Sequence, residues 1–287
     1  MMEWDYTKAD EIEKNCPPKV GIMFGIKVKQ VIDNRNVGDY ALADRQAINW
    51  KCGNFDLDSV LLQYVSPKQG MRLLDVACGN GHHTRLYAKK IGNKGTIVGI
   101  DQSASLIQDA IKAARQEELD LRYQVAFADP LPFEDNAFDV VTCNYALYHF
   151  EDMDGALSQM VRVLAPLGRI ILTGPSSLNN QEIFDFHKSI GLEVSASVGR
   201  ERFELGVRRY FSQQGMTVRE EHYENRIQFE SEREFANYYL KTRLFTDHVD
   251  QTNHEWIMAN IERLIASESG QFLILNKRIT LFEISLR

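Results

Sequence analysis

Closely spaced cysteines, long apolar runs and an excess of basic residues are all missing from this sequence of 287 residues. The four cysteines are widely spaced and form no CxxC pair, so we expect neither a disulfide framework nor a cysteine-ligated zinc site, and we expect a cytoplasmic protein. No stretch approaches the roughly 18 apolar residues that span a bilayer. Residues 1–10 carry three acidic side chains and no apolar run. Neither membrane insertion nor an ordinary secretory signal is therefore expected.

The charge balance and the composition exclude further classes of protein. Asp and Glu number 40 against 33 Lys and Arg, which gives a net charge of −7. A protein that grips nucleic acid through its phosphates needs a basic surface, so we expect no nucleic-acid partner. Only 18 glycines and 7 prolines are present, while 44% of residues are hydrophobic. This composition is typical of a globular protein with a substantial core.

Residues 57–174 alternate short apolar segments with amphipathic ones. This alternation predicts a parallel sheet covered by helices on both faces. The predicted strands are 72–76, 95–100, 121–127, 138–143 and 169–173, and the predicted helices are 57–65, 82–91, 104–114 and 153–164.

Two flanking segments have a different character. Residues 1–56 are interpreted as a helical appendage or cap of the core at 57–174. Residues 175–287 are interpreted as a helical lid inserted after the fifth strand, followed by final strands that complete the core sheet. The lid is rich in aromatic residues. Such residues either line a pocket for a small, partly apolar acceptor or form the lid's own core.

A glycine-containing loop follows the first predicted strand. It begins with Asp75 and contains Gly79 and Gly81, and the next helix starts directly after it. Ligands of an open parallel sheet bind at this edge. A dinucleotide fingerprint needs a third glycine where this chain has Thr84. Asp75 is expected to face the ligand, where it would repel a pyrophosphate and attract an ammonium group.

The next two predicted strands also end in acidic residues. Asp101 lies 20 residues after Gly81, where a carboxylate accepts hydrogen bonds from both hydroxyls of a ribose. Ala128 and Asp129 end the third strand, where they would receive an adenine amino group. A ligand with an ammonium end, a ribose and an adenine, and no required phosphate, is S-adenosylmethionine.

Five segments resemble, in order, the signatures of class I S-adenosylmethionine-dependent methyltransferases of the small-molecule, ubiquinone/menaquinone type. They are LLDVACGNG at 73–81, VGID at 98–101, DPLPFEDNAFDVV at 129–141, NYALYHF at 144–150 and LAPLGR at 164–169. The resemblance covers about residues 57–174, with a weaker match at 277–282. It implies a Rossmann-like, doubly wound, mostly parallel sheet of seven strands, with S-adenosylmethionine as donor and S-adenosylhomocysteine as product.

The residues that match these signatures are the predicted site. Tyr148 and His149 are expected in the acceptor pocket, and His149 is the candidate general base, which is needed only if the acceptor carries a proton. His82 and His83 follow the second glycine. Neighbouring helical residues do not share a face, so no metal site is expected there. The predicted donor-binding residues are Asp75, Ala77, Gly79, Asn80, Gly81, Asp101, Gln102, Ala128, Asp129, Asn144 and Tyr145.

The function predicted from these residues is methyl transfer to a small-molecule acceptor, on oxygen, nitrogen or carbon, by in-line displacement. Two alternatives stay open: a methyltransferase that acts on a protein or transfer RNA, and a donor-binding protein without catalysis. A dinucleotide oxidoreductase is a more distant alternative because the third glycine is absent. A monomer or a homodimer is expected.

Overall fold

A computed structural model of the chain describes residues 54–92, 94–192, 198–242, 245 and 252–285. Strands and helices alternate through the first half of these residues: α1 (Leu57–Val65), β1 (Arg72–Val76), α2 (His82–Ile91), β2 (Thr96–Asp101), α3 (Ala104–Gln116), β3 (Arg122–Val125) and β4 (Phe138–Asn144). The second half contains a 3₁₀ turn (Leu147–His149), α4 (Met153–Val163), β5 (Leu164–Pro175), α5 (Gln181–Ser189), α6 (Val198–Ser212), β6 (Thr217–Gln228), α7 (Glu232–Tyr239), α8 (His254–Ser267) and β7 (Ile274–Ser285).

The seven strands form one mixed sheet in the order β3-β2-β1-β4-β5-β7-β6. Strands β1 to β5 pair in parallel, β7 pairs antiparallel with β5, and β6 pairs antiparallel with β7. The chain moves outward from β1 through β2 to β3 and then resumes on the other side of β1 with β4. This reversal marks the edge beside β1 where such sheets bind ligands. The predicted fold, a mostly parallel seven-stranded sheet with helices inserted after the fifth strand, is confirmed.

Both faces of the sheet are covered by helices. Successive residues of a strand point to opposite faces, so Leu74 joins one buried cluster, with side chains of α4 and α6. Its neighbour Leu73 joins the other, with side chains of α1 and α2. Both leucines are fully buried. A strand enclosed on both faces needs a nearly continuous apolar sequence, which explains why β1 does not alternate apolar and polar residues.

The segment after β5 has a third apolar cluster, built from α5, α7, α8 and the facing ends of β6 and β7. The ring of Phe186 contacts those of Phe235, Tyr239 and Phe272, with centroids 5.3, 4.8 and 5.2 Å apart. All four side chains are buried. These aromatic residues therefore form the insertion's own core, the second of the two roles that the sequence left open.

Element boundaries differ from the predicted ones where tertiary pairing decides them. The fifth strand was predicted at 169–173 and spans Leu164–Pro175, because it pairs with β4 on one side and β7 on the other. The prediction for residues 1–53 as part of an N-terminal cap lies outside the described residues. Among the helices that the structure describes, none combines the length and apolar character needed to cross a bilayer.

Candidate functional site

Three groups of predicted site residues meet at one edge of the sheet. Strand β1 ends at Val76, and its neighbours β2 and β4 end at Asp101 and Asn144. The glycine loop, residues 77–81, connects β1 to α2 at this edge. Because the strands are parallel, their carboxyl ends lie side by side, and the residues that follow them are brought together.

The backbone of the glycine loop is fixed by hydrogen bonds and by left-handed residues. The Cys78 N–H donates to the Ile100 carbonyl of β2 at 2.8 Å, and the Gly81 N–H donates to the Cys78 carbonyl at 3.0 Å. Ala77, Gly79 and Gly81 have φ angles of +54°, +57° and +73°. Glycine adopts such angles without steric cost, whereas Ala77 does so at a cost of roughly 1–2 kcal/mol.

The two glycines of the loop have different surroundings. A Cβ added to Gly81 would lie 2.5 Å from the Tyr123 hydroxyl oxygen and 2.9 Å from the Cβ of Ala110. Gly81 is therefore required because the loop packs closely on β3 and α3. A Cβ added to Gly79 would meet no described atom within 4 Å. The open side of Gly79 leaves room for a ligand to approach the backbone.

Asp101 ties the glycine loop to the end of β2. One carboxylate oxygen accepts from the Gly79 N–H at 2.9 Å, and the other accepts from the Ser103 N–H at 2.9 Å. The residue is 9% exposed. A carboxylate offers about four acceptor positions, so Asp101 keeps capacity for further donors. Gln102, the next residue, is exposed.

The structure corrects the expectation that Asp75 faces a ligand. Its carboxylate is 2% exposed and accepts hydrogen bonds from the hydroxyls of Thr84, at 2.6 Å, and Thr142, at 2.7 Å. Burial raises the pKa of Asp75, and the two hydroxyl hydrogen bonds oppose that shift. Asp75 therefore links β1 to the first turn of α2 and to β4. These links stabilise the two ends of the glycine loop from within the protein.

The end of β4 holds the next pair of predicted residues. Asn144 lies between the Tyr87 hydroxyl, to which its amide donates at 3.4 Å, and Thr173, whose hydroxyl donates to it at 2.9 Å. Tyr145 has a φ of +54°, and its N–H donates to the Thr173 carbonyl at 2.8 Å. Burial raises the pKa of the Tyr145 hydroxyl. Asn144 and Tyr145 are therefore held on the sheet edge beside the glycine loop.

Ala128 and Asp129 follow β3, two strands away from β1. Ala128 is half-buried and Asp129 is exposed. The Asp129 carboxylate lies against Gly155 in the first turn of α4, where an added Cβ would collide with it. Asp129 therefore sits near the positive end of α4. Its contact with an adenine amino group stays a prediction.

The 3₁₀ turn after β4 carries the predicted acceptor residues. The rings of Tyr148 and His149 lie 4.2 Å apart between centroids, and His149 is exposed. The Tyr148 ring also meets Phe203 of α6 edge-on, at 6.4 Å. At this turn, the carboxyl-end edge of the sheet contacts helix α6 of the inserted segment.

His82 and His83 converge on one carboxylate. The Nε2 atom of His82 lies 2.8 Å from Asp58 Oδ2, and that of His83 lies 3.5 Å from Asp58 Oδ1. Burial of Asp58 opposes its ionisation, but the hydrogen bonds from both histidines outweigh burial and hold its pKa well below the ordinary range. Helical spacing had predicted that the two rings point apart. That prediction did not include Asp58, whose carboxylate α1 places within reach of both rings.

Sequence reasoning missed several residues that build the site. In the sequence, Thr84 is notable only because a dinucleotide fingerprint would have glycine at that position, and Thr142 carries no signal. The hydroxyls of both residues nevertheless donate hydrogen bonds to the Asp75 carboxylate. Tyr123 packs under Gly81, and Arg85 donates to the Asn80 carbonyl at 2.7 Å. The signal for Thr84 was available, because its position three residues after Gly81 places it on the first turn of α2. The roles of Thr142 and Tyr123 depend on pairing between strands.

A comparison with protein families identifies the region that contains these residues. A family model for the methyltransferase domain matches residues 67–200. Residues 67–200 carry a methyltransferase domain. The glycine loop, Asp101 and the turn with His149 all lie inside it. The resemblance to class I S-adenosylmethionine-dependent methyltransferases that the sequence predicted is confirmed.

Curated relatives of the methyltransferase domain share its sequence over about half their length. The ubiquinone/menaquinone biosynthesis C-methyltransferase UbiE of Idiomarina loihiensis is 32% identical over 143 residues, 48% of this chain and 54% of that protein. The 2-phytyl-1,4-naphtoquinone methyltransferase of Synechococcus elongatus is 34% identical over 149 residues, 50% of this chain and 58% of that protein. This chain thus spans about half the length of the curated relatives it matches.

Solved structures support the fold beyond the methyltransferase domain. The YcgJ protein of Bacillus subtilis superposes with a TM-score of 0.56, over 80% of this chain and 98% of its own. Its sequence identity is 19%. The similarity therefore concerns the fold, including part of the segment that follows β5.

Proposed function

We propose that this chain transfers a methyl group from S-adenosylmethionine to a small-molecule acceptor. The observation that supports this most is the open side of Gly79 beside the Asp101 carboxylate, at the reversal of strand order in a methyltransferase domain. A Cβ at Gly79 would occupy this open space, so the glycine suits a ligand that packs on the backbone. The residues present fit the proposed donor.

Each part of the donor has a corresponding group in the chain. Asp101 would accept from the ribose hydroxyls, since its carboxylate has acceptor positions beyond those used by Gly79 and Ser103. Gly81, the residue directly before α2, has no side chain to cap the helix. The positive end of α2 would therefore favour binding of the donor's carboxylate. Ala128 and Asp129 would lie on the adenine side, and Asn144 and Tyr145 on the methyl side.

The donor supplies a methyl group that is already activated by a sulfonium. The chain's own residues then have to align the acceptor and exclude water, which accounts for large accelerations when the reacting groups are well oriented. Tyr145 and Tyr148 would restrict the acceptor beside the end of β4. His149 would take a proton only from an acceptor that carries one.

The inserted segment is proposed to cover the acceptor side. Helix α6 lies on the turn after β4, where Arg202 donates to the carbonyls of Phe150 and Glu151, the latter at 3.0 Å. Phe203, the next residue, meets the Tyr148 ring. Both contacts fix α6 next to the proposed acceptor residues. The division into a cap at 1–56, a core at 57–174 and a lid with final strands at 175–287 remains a proposal.

The acceptor is proposed to be a reduced quinone, whose hydroquinone ring is aromatic and nucleophilic. Two relatives are named for quinone or naphtoquinone methylation, and the rings of Tyr145 and Tyr148 would suit such a ring. A cytoplasmic location and a monomeric or homodimeric state remain predictions of the sequence.

Calorimetric titration with S-adenosylhomocysteine, beside NADH, tests the donor. We expect binding of the first compound and none of the second. Incubation with S-adenosylmethionine and a panel of reduced quinones should then release S-adenosylhomocysteine, measured by mass spectrometry. Binding without release for any acceptor, including protein and transfer RNA, would support the non-catalytic alternative, and binding of NADH alone would contradict the proposal.

The variant Asp101→Ala tests the ribose contact. Its affinity for S-adenosylhomocysteine should fall by about 2 kcal/mol, the scale of lost hydrogen bonds to a charged group, or roughly thirtyfold. Asp120→Ala is the control, since Asp120 is exposed and precedes β3, at the opposite edge of the sheet. Thermal unfolding should show that both variants are folded. Unchanged affinity in a folded Asp101→Ala protein would refute the ribose assignment.

A further inference from the structure

Two imidazoles and a carboxylate converge beside the glycine loop. Asp58 lies in the first turn of α1, and His82 and His83 are the first two residues of α2. Each offers a ligand atom, and these atoms lie within 4.8 Å of one another. The side chains are 32%, 35% and 23% exposed, so the cluster is partly enclosed and still reachable from solvent.

The two rings reach the same place because they approach it from different directions. Their centroids are 5.1 Å apart, and their planes meet at 70°. Each Nε2 faces a different oxygen of the same carboxylate, at 2.8 and 3.5 Å. Residues from two helices thus make a three-ligand group that neither helix could form alone.

This set of ligand atoms has the chemistry of a zinc site. Zinc binds imidazole nitrogen and carboxylate oxygen at about 2.0–2.1 Å, which places tetrahedral ligands roughly 3.4 Å from one another. The three ligand atoms, one from each residue, lie within 4.8 Å of one another, so small side-chain shifts bring them to that separation around one ion. The negative charge of Asp58 offsets the repulsion that a cation would meet at the positive end of α2.

We propose that Asp58, His82 and His83 bind one Zn²⁺ ion, with the fourth position open to water. The ion would join α1 to the first turn of α2, which begins directly after Gly81. It would therefore stiffen the connection that holds the glycine loop. The proposal does not depend on methyl transfer, because its test measures metal binding alone.

The test is calorimetric titration of the full chain with ZnCl₂ after removal of metals by a chelator. We expect one Zn²⁺ per chain for the wild type. Asp58→Asn and His83→Gln should each lower the affinity for Zn²⁺ by at least about tenfold. Even the loss of a residue that only hydrogen-bonds to a zinc ligand lowers metal affinity by that factor. Zn²⁺ should raise the melting temperature of the wild type more than that of either variant, because an ion bound only to the folded state stabilises it.

His222→Gln is the matched control. His222 belongs, with Glu204 and Glu220, to the second group of metal-ligand residues in the described part of the chain. There Arg208 is paired with both glutamates, which reduces the charge available to a cation. This variant should bind Zn²⁺ as the wild type does. The proposal is overturned if the wild type binds no Zn²⁺, if Asp58→Asn and His83→Gln bind it unchanged, or if only His222→Gln loses it.

Discussion

Replacing Gly81 by alanine is expected to lower the free energy of unfolding by about 2–5 kcal/mol. The new Cβ would lie 2.5 Å from the Tyr123 hydroxyl oxygen and 2.9 Å from the Cβ of Ala110, in a backbone conformation with φ of +73°. The left-handed conformation costs roughly 1–2 kcal/mol for a residue with a Cβ, and overpacking adds about 1–3 kcal/mol. Urea denaturation followed by circular dichroism measures the change.

Gly79→Ala is the matched control for this change. Gly79 has a similar φ, +57°, but no described atom within 4 Å of an added Cβ. We therefore expect only the conformational cost of about 1–2 kcal/mol. Gly79→Ala should nevertheless weaken the binding of S-adenosylhomocysteine, if the donor packs on this backbone as proposed. Equal stability losses in the two variants would show that steric contact at Gly81 is unimportant.

A second substitution separates contact from conformation at Gly81. The Tyr123 hydroxyl is buried and has no hydrogen-bond partner among the described residues, so Tyr123→Phe alone should change stability little. In the double variant with Gly81→Ala it removes the nearest colliding atom. We expect part of the lost stability to return, since the Tyr123 ring carbon and the Ala110 Cβ, both at 2.9 Å, remain. If none of the lost stability returned, the destabilisation by Gly81→Ala would come from the backbone conformation.

Replacing Asp75 by alanine is the other change with a large expected effect. It removes the acceptor of two buried hydroxyls, those of Thr84 and Thr142, which are both fully buried. Each buried hydroxyl left without a partner costs about 1–3 kcal/mol, so we expect the free energy of unfolding to fall by roughly 2–6 kcal/mol. Chemical denaturation provides the measurement.

Two further variants show whether the hydroxyl contacts cause this loss. Asp75→Asn keeps the shape of the side chain and one hydrogen-bond acceptor oxygen, so this variant should lose less stability than Asp75→Ala. Asp109→Ala removes an exposed carboxylate on α3 and should stay within about 0.5 kcal/mol of the wild type. If Asp75→Ala matched Asp109→Ala, the buried carboxylate would contribute nothing to the fold.

Much of the core was predictable because its signals are local. The predicted segments 57–65, 72–76 and 82–91 coincide with α1, β1 and α2. Each is an apolar or amphipathic run that ends at a glycine, a proline or a change of period. The helix predicted at 104–114 extends instead to Gln116. The apolar pattern alone does not mark the end of a helix.

The site was predictable as a set of positions and less so as a set of roles. Asp101 lies at the end of β2 beside the loop, where its spacing had placed it. Asp75 was expected to face the ligand, because a strand-end carboxylate looks the same in sequence whether it points outward or is buried. The partners that bury it differ in sequence distance: Thr84 is nine residues away and Thr142 is 67 residues away.

The sequence by itself determined the alternation of strands and helices, the position of the glycine loop and the resemblance to a methyltransferase. These depend on periodicity and on short motifs, which act over a few residues. The tertiary structure alone decided that Asp75 is a buried anchor, that the aromatic residues after β5 pack on one another, and that Asp58 lies between His82 and His83. Those outcomes depend on which distant segments pair, because burial and hydrogen bonding are properties of the assembled sheet and helices.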